Sequence, residues 1–361
     1  MKELLEHLVS PETRKLRPYH VPPSDGLIKL DAMENPYTLP SELREEWQAC
    51  LAAANVNRNP DPGARVLRQR IREVFDVPSR CEVILGNGSD ELIQMLALLI
   101  GGPGRTFLAP SPSFSMYRMI SLFTGTGFRE VPLNPDFSLH PDSMLDGVRE
   151  AQPACIFLAY PNNPTGNRFD EDLVLEIVRV APGVVVLDEA YYSFSGRTFL
   201  DRVPDYPNLL VMRTLSKSGL AGLRLGMLMG HPDWVAEMDK IRLPYNINSL
   251  SQAGAAFCLD HYDVLEAQGM RIREDRGQIL AELAALPGVT VYPSDANFIL
   301  LRFVQGADTV FESLKQRGVL VKNLHQPGGM LENCLRITVG TPEENLALLD
   351  AVREILGVRA A

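Results

Sequence analysis

"NLLVMRTLSKSGLAGLRLGMLMG", from Asn208 to Gly230, opens and closes on apolar runs and carries a single lysine, Lys217, between them. Short apolar runs bounded by turn residues fit buried strands. The turn between "LLVMR" and "LGMLMG" is built of Ser216, Ser218, Gly219 and Gly222. A surface lysine usually sits among other charges on a helix, and this one does not. A solvated loop lysine is the plain alternative, and the rest of the chain has to decide between the two.

Working outward, the same texture extends from about Ser41 to Gly230. The runs "EVIL", "TFLAP", "REVPL", "ACIFLAY" and "VVVLDEA" join the two above as strand candidates. Amphipathic segments such as "SDELIQMLALLI" and "DEDLVLEIVRV" lie between them. Apolar strands separated by helices predict an α/β unit with a mainly parallel sheet covered on both faces. Ligands bind such sheets beyond the carboxyl ends of the strands. Gly86–Asp90, Pro161–Gly166, Asp188–Tyr191 and Thr214–Lys217 all fall at or just after strand ends.

Beyond a helical region at about Ser249–Leu286, "VTVYPSDANFILLRF", "RGVLVKN" and "CLRITVG" predict a smaller α+β unit, with helices near 307–316 and 342–356. The apolar "LIKLDAMENPY" predicts that the amino-terminal stretch packs against this unit or a partner chain. The expected division is a large unit at 41–250 and a small one made of 1–40, as an arm, with 251–361.

The chain has 361 residues and a formal net charge of −10, which argues against nucleic acid or an anionic membrane as partner. Five cysteines without a C-x-x-C pair fit a reducing cytoplasm. The amino-terminal "MKELLEHLVSPETRKLRPYH" has no apolar signal core, and no stretch reaches the ~20 apolar residues of a membrane span. The six histidines show no metal-ligand spacing, so no metal is expected.

The turn motifs each have an ordinary reading beside a chemical one. "VILGNGSDEL" has Gly86 and Gly88 but Glu91 in place of a third glycine, so a dinucleotide fingerprint fails. A strand, a glycine turn and a helix start remain, and free N–H groups there can hold a phosphate. "VVVLDEA" resembles the acidic strand of a P-loop nucleotidase, but no lysine in the chain follows a glycine, which removes that reading. Asp188, at the end of a buried strand, still wants a cationic partner; an acidic helix cap is the alternative. "YPNNPTGN" is either turn chemistry alone or a pair of amides, Asn162 and Asn163, offered to a ligand. Tyr117, in "PSFSMY", is either core or a cofactor contact.

Among the lysines, Lys2 and Lys15 lie in the polar amino-terminal stretch, Lys240 and Lys315 in charged helical patterns, and Lys29 and Lys322 in strands away from the cluster. Only Lys217 falls at a strand end among the polar turns. A partly desolvated lysine loses its proton readily and attacks carbonyl carbons. Arg224 follows it by seven residues and offers a planar fork to a phosphate. One ligand bearing a carbonyl, a phosphate and a ring nitrogen that suits a buried aspartate is pyridoxal 5′-phosphate (PLP).

The blocks "DAMENPY", "GNGSDELI", "PSFSMY", "YPNNPTGN", "VVVLDEAY", "RTLSKSGLAGLRLG", "ANFILLR" and "CLRITVGTPEEN", in this order, make the chain resemble the fold-type I PLP-dependent transferases, in particular the histidinol-phosphate aminotransferases. The resemblance covers nearly the whole chain. It implies a seven-stranded, mainly parallel cofactor-binding sheet and a homodimer with composite active sites. It implies that Lys217 bonds the cofactor aldehyde, that Asp188 partners the ring nitrogen, and that Asn163 and Tyr191 bind the ring hydroxyl. Lys217, Asp188 and Tyr191 are the expected catalytic residues. Tyr117 matches a residue stacked on the ring. Gly88, Ser89, Asp90, Thr214, Ser216 and Arg224 match the phosphate side. Arg336 matches the arginine for the donor's carboxylate; Tyr19, Asn35 and Lys322 join it on the substrate side.

The implied reaction is L-histidinol phosphate plus 2-oxoglutarate giving imidazole-acetol phosphate plus L-glutamate, in histidine biosynthesis. Aromatic-amino-acid transamination and threonine-phosphate decarboxylation are the alternatives on the same scaffold. Three departures stand out. Asn59 replaces the usual tyrosine that reaches the partner's cofactor, Lys322 replaces a frequent arginine, and Arg224 stands seven rather than eight residues after Lys217.

Overall fold

The computed structural model describes residues 2–14, 16, 18 and 22–358; Tyr19 lies outside the described residues. In chain order the strands are β1 (Ile28–Leu30), β2 (Glu82–Asn87), β3 (Thr106–Ser111), β4 (Gly127–Pro132), β5 (Cys155–Ala159) and β6 (Val184–Asp188). They continue with β7 (Leu209–Thr214), β8 (Leu225–Gly230), β9 (Val289–Val291), β10 (Phe298–Phe303), β11 (Val319–Asn323) and β12 (Cys334–Thr338).

The large sheet has seven strands in the order β2-β8-β7-β6-β5-β3-β4. The pairings from β4 through β3, β5 and β6 to β7 are parallel, while β8 runs antiparallel to both its neighbours. Every residue of β5, β6, β7 and β8 is buried. Helices cover both faces, which is why these strands read as unbroken apolar runs rather than as alternating ones.

The second sheet has five strands in the order β1-β11-β12-β10-β9. Its β1 pairs in parallel with β11, Ile28 opposite Val319, so part of the amino-terminal stretch is a strand of this sheet. "VTVYPSDANFILLRF" is two strands rather than one, because the chain turns between β9 and β10 and the two pair antiparallel. The helical region splits at His261 into Ser249–Asp260 and Tyr262–Ala284.

The phosphate-type turn depends on two glycines. Gly88 has φ +87°, open to glycine but unfavourable for a side chain. Gly226, on β8, lies under the turn: a Cβ there would sit 2.5 Å from the Gly88 carbonyl carbon and the Ser89 nitrogen. The "RLG" of the opening stretch therefore lets the antiparallel strand press against the turn that follows β2.

Candidate active site

At the carboxyl ends of the parallel strands a cleft is lined by Ser89, Asp90, Asn163, Asp188, Tyr191, Thr214, Ser216, Lys217 and Arg224, with Met33, Phe114, Ala159 and Ala190. A larger cavity of about 360 Å³ lies away from these groups, bordered by Asp61, Glu82, Arg242 and Tyr245; it holds none of the lysine–aspartate chemistry.

Lys217 sits in a single π-helical turn, Ser216–Leu220, that follows directly on β7. Gly219 within it has φ +114°. Asn35 Nδ2 donates to the Ser218 carbonyl at 3.2 Å, and the Ser193 and Ser218 hydroxyls lie 2.8 Å apart. The turn is thus held from two sides. Lys217 Nζ donates to the Ala32 carbonyl at 3.2 Å. Burial, followed by the nearby Arg336, lowers its ammonium to a pKa of about 8, against the smaller opposing pull of Glu34 and Asp90.

Asp188 ends β6 and is buried. Its Oδ2 accepts from the Tyr117 hydroxyl at 2.6 Å and its Oδ1 from the Ala190 amide at 3.2 Å. Burial raises its pKa to about 6, while the Tyr117 and Ala190 hydrogen bonds pull it down. Tyr191 donates its hydroxyl to Met33 Sδ at 3.0 Å, and burial pushes its pKa well up.

Helix Ser89–Ile100, whose Ser89 and Asp90 also line the cleft, starts at Gly88 with no side chain capping it. Its first N–H groups are free to meet an anion. Arg224 stands beside them: a Cβ on Gly88 would be 2.6 Å from Arg224 Nη2. The arginine itself adopts left-handed backbone, φ 51°. Asp90 is 3.9 Å from Arg224, its pKa is raised by burial, and its Oδ1 is buried without a hydrogen-bond partner.

Two expectations need correction. The ring of Tyr117 is not free to stack on a ligand. It is completely buried and lies parallel to Phe157, centroids 4.6 Å apart, with its hydroxyl on Asp188. The aromatic that borders the cleft is Phe114, which precedes helix Ser115–Phe123 in extended backbone. Asn35 is committed to the protein, not to the cleft. Its amide donates to Ser218 O and to Gln268 Oε1, and its Oδ1 accepts from the Tyr37 amide. Arg336 and Lys322 are cross-strand partners on β12 and β11, which directs both cations to one face of the small sheet. Arg336 Nη1 donates to Asn163 Oδ1 at 2.7 Å and Nη2 to the Asp31 carbonyl at 3.0 Å. Asn163 thereby joins the two sheets across the cleft.

This architecture and cleft define an α/β enzyme of the aminotransferase type. The aminotransferase class I and II family model matches residues 25–352, and the chain belongs to that family. It is 52% identical to histidinol-phosphate aminotransferase 2 of Nitrosococcus oceani, over 98% of each chain. It is 48% identical to the histidinol-phosphate aminotransferase of Chromobacterium violaceum, over 98% of this chain and 99% of that one. Among solved structures, histidinol-phosphate aminotransferase from Sinorhizobium meliloti, in complex with pyridoxal-5′-phosphate, superposes with a TM-score of 0.85, at 22% identity over 97% of this chain and 98% of that one. L-threonine-O-3-phosphate decarboxylase from Porphyromonas gingivalis reaches 0.76, at 22% identity over 91% of this chain and 99% of that one. At such identities the superpositions speak for the fold.

Gly88→Ala tests the anion cradle. The new methyl would force Arg224 away from the helix start and strain a positive φ by about 1 kcal/mol. We expect PLP to dissociate at least about tenfold more readily in equilibrium dialysis, a loss of one charge-assisted contact, with little change in melting temperature. Unchanged retention would remove the turn from the phosphate site.

Proposed function

We propose that this chain is a PLP-dependent aminotransferase that converts L-histidinol phosphate and 2-oxoglutarate into imidazole-acetol phosphate and L-glutamate, in histidine biosynthesis. One observation carries the reading: the desolvated amine of Lys217, the buried carboxylate of Asp188 and the uncapped helix start beside Arg224 converge at neighbouring strand ends. The residues fit PLP. The amine matches its aldehyde, the carboxylate its ring nitrogen, and the helix start with Arg224 its phosphate. Relatives about half identical over nearly their whole length carry the histidinol-phosphate aminotransferase name, which supports the substrate.

When bound, PLP supplies an electron sink for the carbanion formed at the substrate's Cα. The protein does the rest. Asp188 holds the ring nitrogen in its protonated form. Asn163 and Tyr191 orient the ring through its hydroxyl. Phe114 takes the place beside the ring that Tyr117 cannot. Lys217 Nζ, as a neutral amine, would take the proton from the substrate's Cα. Arg336 receives the carboxylate of glutamate or 2-oxoglutarate, and Lys322 offers a second positive charge to the phosphate of histidinol phosphate. The cofactor unit is 41–250 and the substrate-anion side belongs to 1–40 and 251–361; the separate sheets support this division.

The test compares kcat/KM for histidinol phosphate, phenylalanine and threonine phosphate on one preparation. Preference for phenylalanine, or release of carbon dioxide from threonine phosphate without a keto acid, would replace the proposed reaction.

We also infer a homodimer with composite sites, located in the cytoplasm. Asn59 is exposed, and the nearby surface leaves Val56, Val66, Leu243, Tyr245 and Leu250 exposed as well, which supports a second copy covering this side. The five free cysteines support a reducing compartment, and no described helix is long and apolar enough to cross a membrane. Asn59→Tyr is expected to tighten PLP retention or leave it unchanged, because a phenol reaches further than the amide toward the partner's phosphate. A sharp weakening would mean a different local backbone. A fully active monomer at micromolar concentration in sedimentation would overturn the composite site.

In the cofactor-free protein the Lys217 amine loses its proton near pH 8, below the ordinary lysine range. Only the neutral amine attacks an aldehyde, so the capture rate rises with pH while the ammonium form dominates. Stopped-flow mixing with PLP should show a rise of about tenfold per pH unit below that point, flattening above it. A rate still climbing steeply past pH 10 would mean an unperturbed lysine.

A further inference from the structure

Glu189 and Arg213 form a fully buried ion pair that the chemistry above does not use. Their side chains are 0% and 3% exposed. Arg213 Nε donates to Glu189 Oε2 at 2.9 Å, and Arg213 Nη2 donates to Thr198 Oγ1 at 2.7 Å. Thr198 Oγ1 and the Phe199 amide also approach the Glu189 carboxylate, at 2.9 and 2.6 Å. The guanidinium lies over the Tyr192 ring, 3.6 Å from its centroid. A charge pair this deep needs close to full hydrogen bonding merely to break even, so it is poor evidence of a stability role.

Its position along the chain is informative. Glu189 follows Asp188, and Arg213 precedes Thr214, so each member faces away from the cleft beside a residue that faces into it. The ladder between β6 and β7 ends at Asp188 opposite Met212, closed by the Glu189 amide on the Met212 carbonyl at 2.8 Å. From Arg213 onward β7 pairs only with β8. The ion pair therefore takes over where the backbone ladder stops. The same carboxylate gathers the 198–199 segment and so closes the loop that carries Tyr191.

We propose that the Glu189–Arg213 pair is a positioning element that joins the ends of β6 and β7, so that Asp188 and Lys217 address one bound cofactor together. The proposal rests on the PLP reading above. Catalytic groups must be held within about 0.5 Å, and a displacement of about 1 Å can cost two orders of magnitude in rate. The double variant Glu189→Leu with Arg213→Met separates positioning from stability, because apolar replacement of both partners removes the desolvation cost along with the bonds.

The cofactor-free double variant is expected to melt within about 5 °C of the wild type, since such replacements are often neutral. Loaded with PLP, it should lose about 100-fold in kcat while KM changes by less than about threefold, and the visible circular-dichroism band of the bound cofactor should shrink by about half or more. Arg213→Lys keeps the charge but not the planar fork, and should show the same pattern at about tenfold in kcat. Wild-type kcat and dichroism in the double variant overturn the proposal. If that variant does not fold, wild-type values in Arg213→Lys overturn it. A wild-type protein that takes up no PLP would instead refute the cofactor reading, and the positioning role with it.

Discussion

Replacing Lys217 with alanine is expected to reduce kcat by at least about 10⁴-fold, because the change removes a nucleophile and a proton carrier at once. The amine is held at the Ala32 carbonyl, desolvated, and in contact with the cleft. Among the described residues no other lysine lines the cleft: Lys29 is tied to Asp31 and Glu34 beside β11, and Lys322 belongs to β11 itself. The groups proposed to hold the phosphate are untouched, so the variant should still bind PLP non-covalently, with the visible absorption of a free aldehyde. Steady-state assays and spectra on one preparation check both halves. Turnover near the wild-type rate would sink the assignment of Lys217.

Asp188→Asn should lower kcat by about 10²–10³-fold, the range for removing one preorganised electrostatic partner, while PLP affinity falls by less than about tenfold. Asparagine preserves shape and can still meet the Tyr117 hydroxyl and the Ala190 amide, so the local fold survives. What disappears is the negative charge proposed to partner the ring nitrogen, and such a charge matters most when carbanion density enters the ring. Arg224→Ala should show the reverse pattern, with cofactor loss leading. Equal cofactor loss in the two variants, with no specific effect on chemistry, would dissolve this division of labour.

Much of this site is legible in the sequence, for a physical reason. Strands buried on both faces must be continuously apolar, so the polar residues that interrupt the pattern mark where β2, β5, β6 and β7 end. Those ends are where the cleft lies. The carry-over from the family resemblance failed where two aromatic residues stand one helical turn apart. Phe114 and Tyr117 bracket the start of a helix, and nothing in their spacing says which ring packs on Phe157 and which borders the cleft. It failed again at Asn35, whose partners Ser218 and Gln268 are 183 and 233 residues away in sequence. Glu189 and Arg213 are not legible in the sequence because each sits beside a residue that faces the cleft and points the other way.

The cations of the cleft have a consequence for what reaches it. Lys217 and Arg224 line a cleft in a chain whose net charge is −10. A long polyanion meets the repulsive field of the whole molecule before any part of it can enter. A small phosphate or dicarboxylate that diffuses inside the mouth feels chiefly the nearby cations, in a medium of lower dielectric. Electrostatics of this kind favour small anions over long polyanions.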